Sequence, residues 1–258
     1  MYYALCSIML RKVHRIWYVI WLVVGLSIFI SGCPFKSRVE RKAWFRYAAK
    51  FDEARNVAMA NFAAKKSTLQ DLAKMDKIKQ KFLRAKQPTE SEIISVLKSP
   101  DKRFQRVGLA AMSLKPIETD QLIDILFEFL QDQDREFRFY AISALEKFTQ
   151  FPESKKVSLG KQLLEIIKKE KDKGLSIQEF SLLAKAPSEE TALFLTEQLM
   201  KEGKENYLSR NFAFNALKEM GDSYYDEAAE YVNKHGSPEI KEEFLEREKT
   251  WKDLYKEK

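Results

Sequence analysis

Four stretches of this chain, residues 104–112, 137–145, 177–184 and 209–217, repeat one frame of apolar and small residues. The small residues Gly108, Ala141, Ser181 and Ala213 stand 33, 40 and 32 positions apart, and Ala111, Ala144, Ala184 and Ala216 follow each by three. On a helix, positions i and i+3 share a face. Small groups there let a neighbouring helix approach closely, while the apolar residues around them fill the seam. A unit of this length cannot bury its own apolar face, but stacked copies can, so the period predicts an array in which each helix pair rests on the next. The scarcity of helix breakers agrees, with eight Gly and seven Pro among 258 residues.

The frame resembles the second helix of HEAT-like repeats, particularly the short bacterial type, which reads Asp, then Val-Arg-x-x-Ala-x-x-Ala-Leu. Asp101 and Asp134 stand at the turn aspartate of that pattern, and Gln105, Arg138, Gln178 and Arg210 at its arginine. The preceding helix matches in kind, with Leu122, Ile125, Leu126, Phe129 and Leu130 running into residues 131–134. The likeness spans residues 88–235, and Ile240, Lys241 and Phe244 suggest a degenerate closing helix through Trp251 and Tyr255. There are departures: Phe or Ser replaces the usual Val, two arginines are Gln, and the third repeat ends in Lys185 where Leu is usual. The resemblance implies an all-α fold, an α-solenoid of HEAT-like helix pairs over 88–258 with a C-terminal capping helix and an N-terminal helical cap ahead of it. It also implies that Arg138 and Arg210 bond back to Asp134 or Asn206 and tie one repeat together. Tetratricopeptide repeats have a similar period, but their Trp, Leu-Gly and Tyr signature is absent.

Ahead of the repeats, Trp44, Tyr47, Ala48, Phe51, Ala54, Ala58 and Phe62 recur at three- and four-residue steps, as do Leu69, Leu72, Met75, Ile78 and Phe82. They predict a helical pair over 44–87 with its turn at 65–68. Trp44 and Tyr47 have two readings, as a core face or as aromatic anchors in a lipid interface. Residues 89–92 read as a capping box, and Ser99-Pro100 and Ser237-Pro238 as N-caps before a first-turn proline.

The first 32 residues contain no acid. Arg11, Lys12 and Arg15 precede an unbroken apolar run from Ile16 to Ile30, the charged and apolar regions of a secretory signal and short for a transmembrane helix. Ile30-Ser31-Gly32-Cys33 follows directly and resembles the lipobox of bacterial lipoproteins. That resemblance implies a signal peptide over 1–32, cleavage before Cys33, lipidation (palmitate) of Cys33 as the new N-terminus, and a basic tether over 33–43. A start at Met9 would give a more typical signal length. The competing readings are an uncleaved signal anchor, and a Cys6–Cys33 disulfide that would require both cysteines to survive processing.

Without residues 1–32 the net charge is +4, and it is unevenly placed, +12 over 33–115 and −8 over 116–258. A basic stem beside a lipid anchor supplements it by about 1 kcal/mol per well-placed Lys or Arg on an anionic membrane. The bland alternative is a Lys-rich solvated face. Nucleic-acid binding is the third reading, and export argues against it.

No constellation in the sequence carries catalysis. His235 is the one histidine beyond the signal, in a turn, with no Cys or second His to complete a zinc site. The glycines are scattered singly, so no phosphate loop is expected. Asp132 and Asp134 form an apparent carboxylate pair, yet a turn aspartate capping the next helix explains Asp134, and Asp222 and Asp226 read as helix-start acids. The expectation is therefore a non-enzyme without metal, cofactor or small-molecule substrate. It is a protein-interaction scaffold of the bacterial cell envelope, tethered through Cys33 and facing the periplasm or exterior, with a protein or peptide as partner. The alternatives are an enzyme on a HEAT-like scaffold, of lyase or glycosylase type, or a signal-anchored protein with a basic membrane- or nucleic-acid-binding stem. In HEAT-like arrays the second helix lines the concave face. The positions there that vary between copies are Arg106, Phe139, Glu179 and Asn211; Ala110, Ser143, Leu183 and Asn215; Ser113, Glu146, Lys185 and Lys218. Phe139 reads as an exposed interface anchor, which places the partner site at Arg106, Phe139, Asn211 and Asn215.

Overall fold

A computed structural model describes residues 38–66, 69–170 and 172–255. The signal, Cys33 and the start of the tether lie outside the described residues. Apart from two short 3₁₀ turns, the regular structure of the described residues is α-helical, with no strand among them. The chain divides into two compact units, Met1–Val96 and Leu97–Lys258.

In the first unit, α1 (Ala43–Ala63) and α2 (Leu69–Arg84) form a closely packed hairpin, followed by α3 (Glu90–Leu97). Trp44 is 2% exposed, with Phe45, Ala48, Ala54 and Ala58 on the same buried stripe, so this tryptophan belongs to the core. α1 ends as expected before residue 65. Lys65 takes the left-handed conformation at φ 55°, and the Lys66 N–H reaches back to the Asn61 carbonyl at 2.7 Å, satisfying a last-turn acceptor. Past mid-helix the apolar stripe loses its cover, and Met59, Phe62, Leu69 and Leu72 are exposed. Thr89 and Glu92 form the expected capping box, each backbone N–H bonded to the other's side chain. Glu92 also pairs with Lys42, and the division between units falls at 96/97, so most of α3 stands with the hairpin although the repeat pattern begins at Pro88.

The second unit is two-layered. α4 (Lys102–Leu114), α6 (Arg135–Leu145), α8 (Lys173–Leu183) and α10 (Tyr207–Met220) stack in that order. α5 (Asp120–Phe129), α7 (Lys156–Lys169), α9 (Glu189–Leu199) and α11 (Asp222–His235) each pair with a helix of that row, and α9 also packs on α7 and α11. α12 (Pro238–Tyr255) closes the unit. The Phe214 ring of α10 meets Tyr225, Phe244 and Trp251 edge-on at 5.4–6.2 Å between centroids.

Several helix starts are set by side-chain oxygens, although Asn206 before α10 makes no such bond. Asp101, Asp134 and Asp172 accept the N–H of Arg103, Glu136 and Gly174, and Ser188 forms a capping box with Thr191. Ser237 caps α12 before Pro238 as expected. Ser99 does not begin α4; its hydroxyl accepts from the Asp101 N–H, and the Asp101 carboxylate, the stronger acceptor, takes the cap.

These caps correct the register of the third repeat. Seven residues beyond Asp101, Asp134 and Asn206 lie Gly108, Ala141 and Ala213, all buried in the seam; seven beyond Asp172 lies Glu179, not Ser181. Burial agrees, since Glu179 and Leu182 are 0% exposed whereas Ser181 and Ala184 are half-buried. Phe180 thereby takes the core place of Leu109, Ile142 and Phe214, so a frame two residues later fits the aromatic but not the chain. Ala144, 0% exposed, keeps its expected seam place. Ala144→Asp, which buries an unpaired charge there, should cost about 3 kcal/mol or more in urea denaturation; a protein as stable as the wild type would show the seam to be elsewhere.

Candidate functional site

The four residues expected to bind a partner fall on one row of helices but not in one place. Arg106 lies on α4, Phe139 on α6, and Asn211 and Asn215 on α10, all half-buried. Two helices separate α4 from α10, a span of about 25–30 Å at usual interaxial distances. Phe139 is not an exposed anchor. Its ring stands edge-on to Tyr140 at 5.9 Å, a contact that residue-type patterning cannot foresee. In the third repeat the wall positions move with the register: Glu179 and Leu183 are core, and Ile177, Ser181 and Ala184 take their places.

Asn211 and Asn215 do share a site. With Tyr207, Glu246, Thr250 and Trp251 they line a cavity of ≈ 340 Å³ between α10 and α12, floored by Phe214. The two asparagines are four residues apart, so their amides sit one above the other on the wall. Neither amide has a hydrogen-bond partner among the described residues. On the opposite wall Arg247 pairs with Glu243, donates to the Tyr207 carbonyl at 3.3 Å and lies 4.7 Å from the centroid of the Tyr207 ring, while its Nε and Nη1 are buried without a partner. Burial, against the pull of Glu243, lowers the Arg247 pKa. Sequence reasoning found the asparagines and missed Tyr207, Thr250 and Trp251, because α12 falls where the repeat pattern has faded.

A wider groove, ≈ 710 Å³, runs past Asp132, Arg138, Lys161, Glu165 and Glu170, but its strongest polar groups are committed to the fold. Arg138 donates to the carbonyls of Asp132 and Gln133 at 2.8 and 3.1 Å and to Glu170 at 2.7 Å. Arg210 repeats the device on the Lys201 and Gly203 carbonyls at 2.6 and 2.9 Å and on Glu243 at 2.6 Å. The arginines therefore hold the preceding turn by its backbone, not by Asp134 or Asn206, and reach a glutamate 32 or 33 residues on. Four residues past the cap, the other copies carry Gln105 and, in the corrected register, Ser176 in place of Gln178.

Asp132 and Asp134 prove to be turn chemistry. Asp134 caps α6, and Asp132 accepts from the Asp134 N–H and from Lys102, both at 2.8 Å. The desolvation of Asp132 is outweighed by Lys102 and the backbone bond, leaving its pKa lowered. His235 is exposed, tilted on Tyr231, and no metal-holding group of His, Cys, Asp and Glu occurs among the described residues. Glu179 is the unexpected acid. Both its oxygens are buried without a partner, and burial first, then the charge of Glu170, pushes its pKa up to about 8 against the relief given by Arg138. It lines neither cavity, so the carboxyl has no reacting group within reach in either. No family model, curated protein or solved structure matches this chain.

Proposed function

We infer that the chain is a non-catalytic scaffold of the bacterial cell envelope, held at a membrane through a lipid on Cys33, and that it binds a protein or peptide on the face of the α4, α6, α8 and α10 row. The observation that carries the binding half is the cavity at Asn211 and Asn215, where unpaired amides and aromatic walls open at two positions that vary between the repeats. The anchoring half rests on the sequence, an apolar run ending in Ile30-Ser31-Gly32-Cys33, with a basic stem behind it suited to anionic headgroups. The enzyme alternative has its best acid in Glu179, and that group is sealed in a helix seam.

Crosslinking in intact cells followed by mass spectrometry tests the scaffold; the expected result is a reproducible protein partner, and none across several crosslinkers would overturn it. The anchor is tested separately. A clickable fatty acid should tag the wild type, whereas Cys33→Ser should lose the tag and accumulate precursor. Equal tagging of the variant, or a mature N-terminus other than Cys33, would sink the lipoprotein reading.

A further inference from the structure

The cavity between α10 and α12 is small and chemically particular. Its ≈ 340 Å³ is at the low end for ligand pockets. It holds a large side chain and the main chain next to it. Each side-chain amide offers donors and an acceptor, the complement of a backbone N–H and C=O. Two such amides, one helical turn apart and lacking partners, form a ladder suited to an extended strand of peptide. Tyr207 and Trp251 flank that ladder, and aromatic walls around a few placed polar groups favour an apolar side chain.

Charge narrows the class further. Arg247 is the one cation among the lining residues. Its Nε and Nη1 are buried without a hydrogen-bond partner, out of reach of a ligand entering from solvent, and Nη2 serves Glu243 and the Tyr207 carbonyl, so the guanidinium presents no accessible N–H to a carboxylate. Glu246, by contrast, is exposed on the rim and has no ion-pair partner among the described residues.

Resting on the scaffold reading above, we propose that this cavity takes an internal, extended peptide segment of the partner. An aromatic or long aliphatic side chain sits between Tyr207 and Trp251, the main chain pairs with the amides of Asn211 and Asn215, and a flanking Lys or Arg meets Glu246. The free terminal carboxylate of a chain finds no accessible N–H on Arg247 and meets Glu246 at the rim, so it is disfavoured.

The test is selection from a displayed library of random heptapeptides on the full-length chain in detergent. The Asn211→Ala/Asn215→Ala double variant, which breaks no bond of the fold and should melt with the wild type, serves for counter-selection. Recovered peptides should carry an aromatic or aliphatic residue beside Lys or Arg. Synthetic copies should bind the double variant at least tenfold more weakly, and Glu246→Lys should erase the preference for basic flanks. Thr250→Trp, which fills the cavity from α12 and leaves both asparagines in the sequence, should abolish binding. Absence of enrichment, equal binding by the double variant, or enrichment of acidic peptides, which would make Arg247 the anchor, overturns the proposal. A partner crosslinked in cells and still captured after loss of both amides would sink this site and leave the scaffold standing. Peptides selected as expected, with nothing crosslinked in cells, would do the reverse.

Discussion

Raising the pH from 5 to 8.5 should strip stability from this protein through one side chain, Glu179. Its carboxyl titrates near 4.5 when free and at about 8 in the folded chain, chiefly because the seam withholds solvent from it. Between those values the folded protein holds a proton that the unfolded chain has released. The contribution is therefore intact below pH 4.5, declines as pH rises, and is lost above 8, a difference on the order of 4 kcal/mol. Glu179→Met keeps the length of the side chain and removes the charge, so its advantage over wild type should be larger at pH 8.5 than at pH 5 by about 4 kcal/mol. Urea denaturation at the two pH values measures both. Parallel pH profiles for wild type and variant would show that Glu179 is solvated and the seam assignment mistaken.

Arg138→Ala should be the most damaging single truncation outside the apolar core, costing about 3–5 kcal/mol. The side chains of Arg138 and Glu170 are 15% and 5% exposed, so removing the guanidinium leaves a buried carboxylate holding little but the Asp172 N–H, and frees two turn carbonyls. Arg138→Met with Glu170→Met should recover much of the loss, because no charge is then left unpaired. The pair also tunes Glu179: without Arg138 its pKa should climb further, and without Glu170 it should fall. Arg138→Ala within 1 kcal/mol of wild type in chemical denaturation would show the pair to be solvated decoration.

The helical class was legible because it rests on local chemistry. Periodic apolar residues, Thr89 with Glu92, and Asp101 or Asp134 at a turn all act within a few residues of themselves. The third register was misread because Phe180 to Ala184 imitates the frame by residue type. The cap at Asp172, two residues farther from Ser181 than that frame needs, was the signal that could have placed it. Burial of Glu179 was unreadable on that register, since an acid on a variable position belongs on a surface. Asn211 and Asn215 were legible as variable polar positions one turn apart. The other wall of their cavity was not, because Trp251 comes to Phe214 through tertiary packing that no repeat encodes.

The seam between α6 and α8 differs in kind from its neighbours. α4 meets α6, and α8 meets α10, through extensive packing, whereas α6 and α8 touch less and are bridged by Arg135 to Asp172, Arg138 to Glu170, Ser181 to Glu146 and Lys185 to the Phe148 carbonyl. In a quasi-one-dimensional protein, cooperativity is passed along by nearest-neighbour couplings, and the weakest of them decides how many blocks melt as one. Part of that coupling is polar, and its exposed member, Arg135 with Asp172, answers to ionic strength, whereas Arg138 with Glu170 is buried and screened little. Salt should thus weaken this seam by no more than its exposed pair, whereas loss of the buried Arg138–Glu170 pair would leave the blocks on either side joined by their thinnest contact.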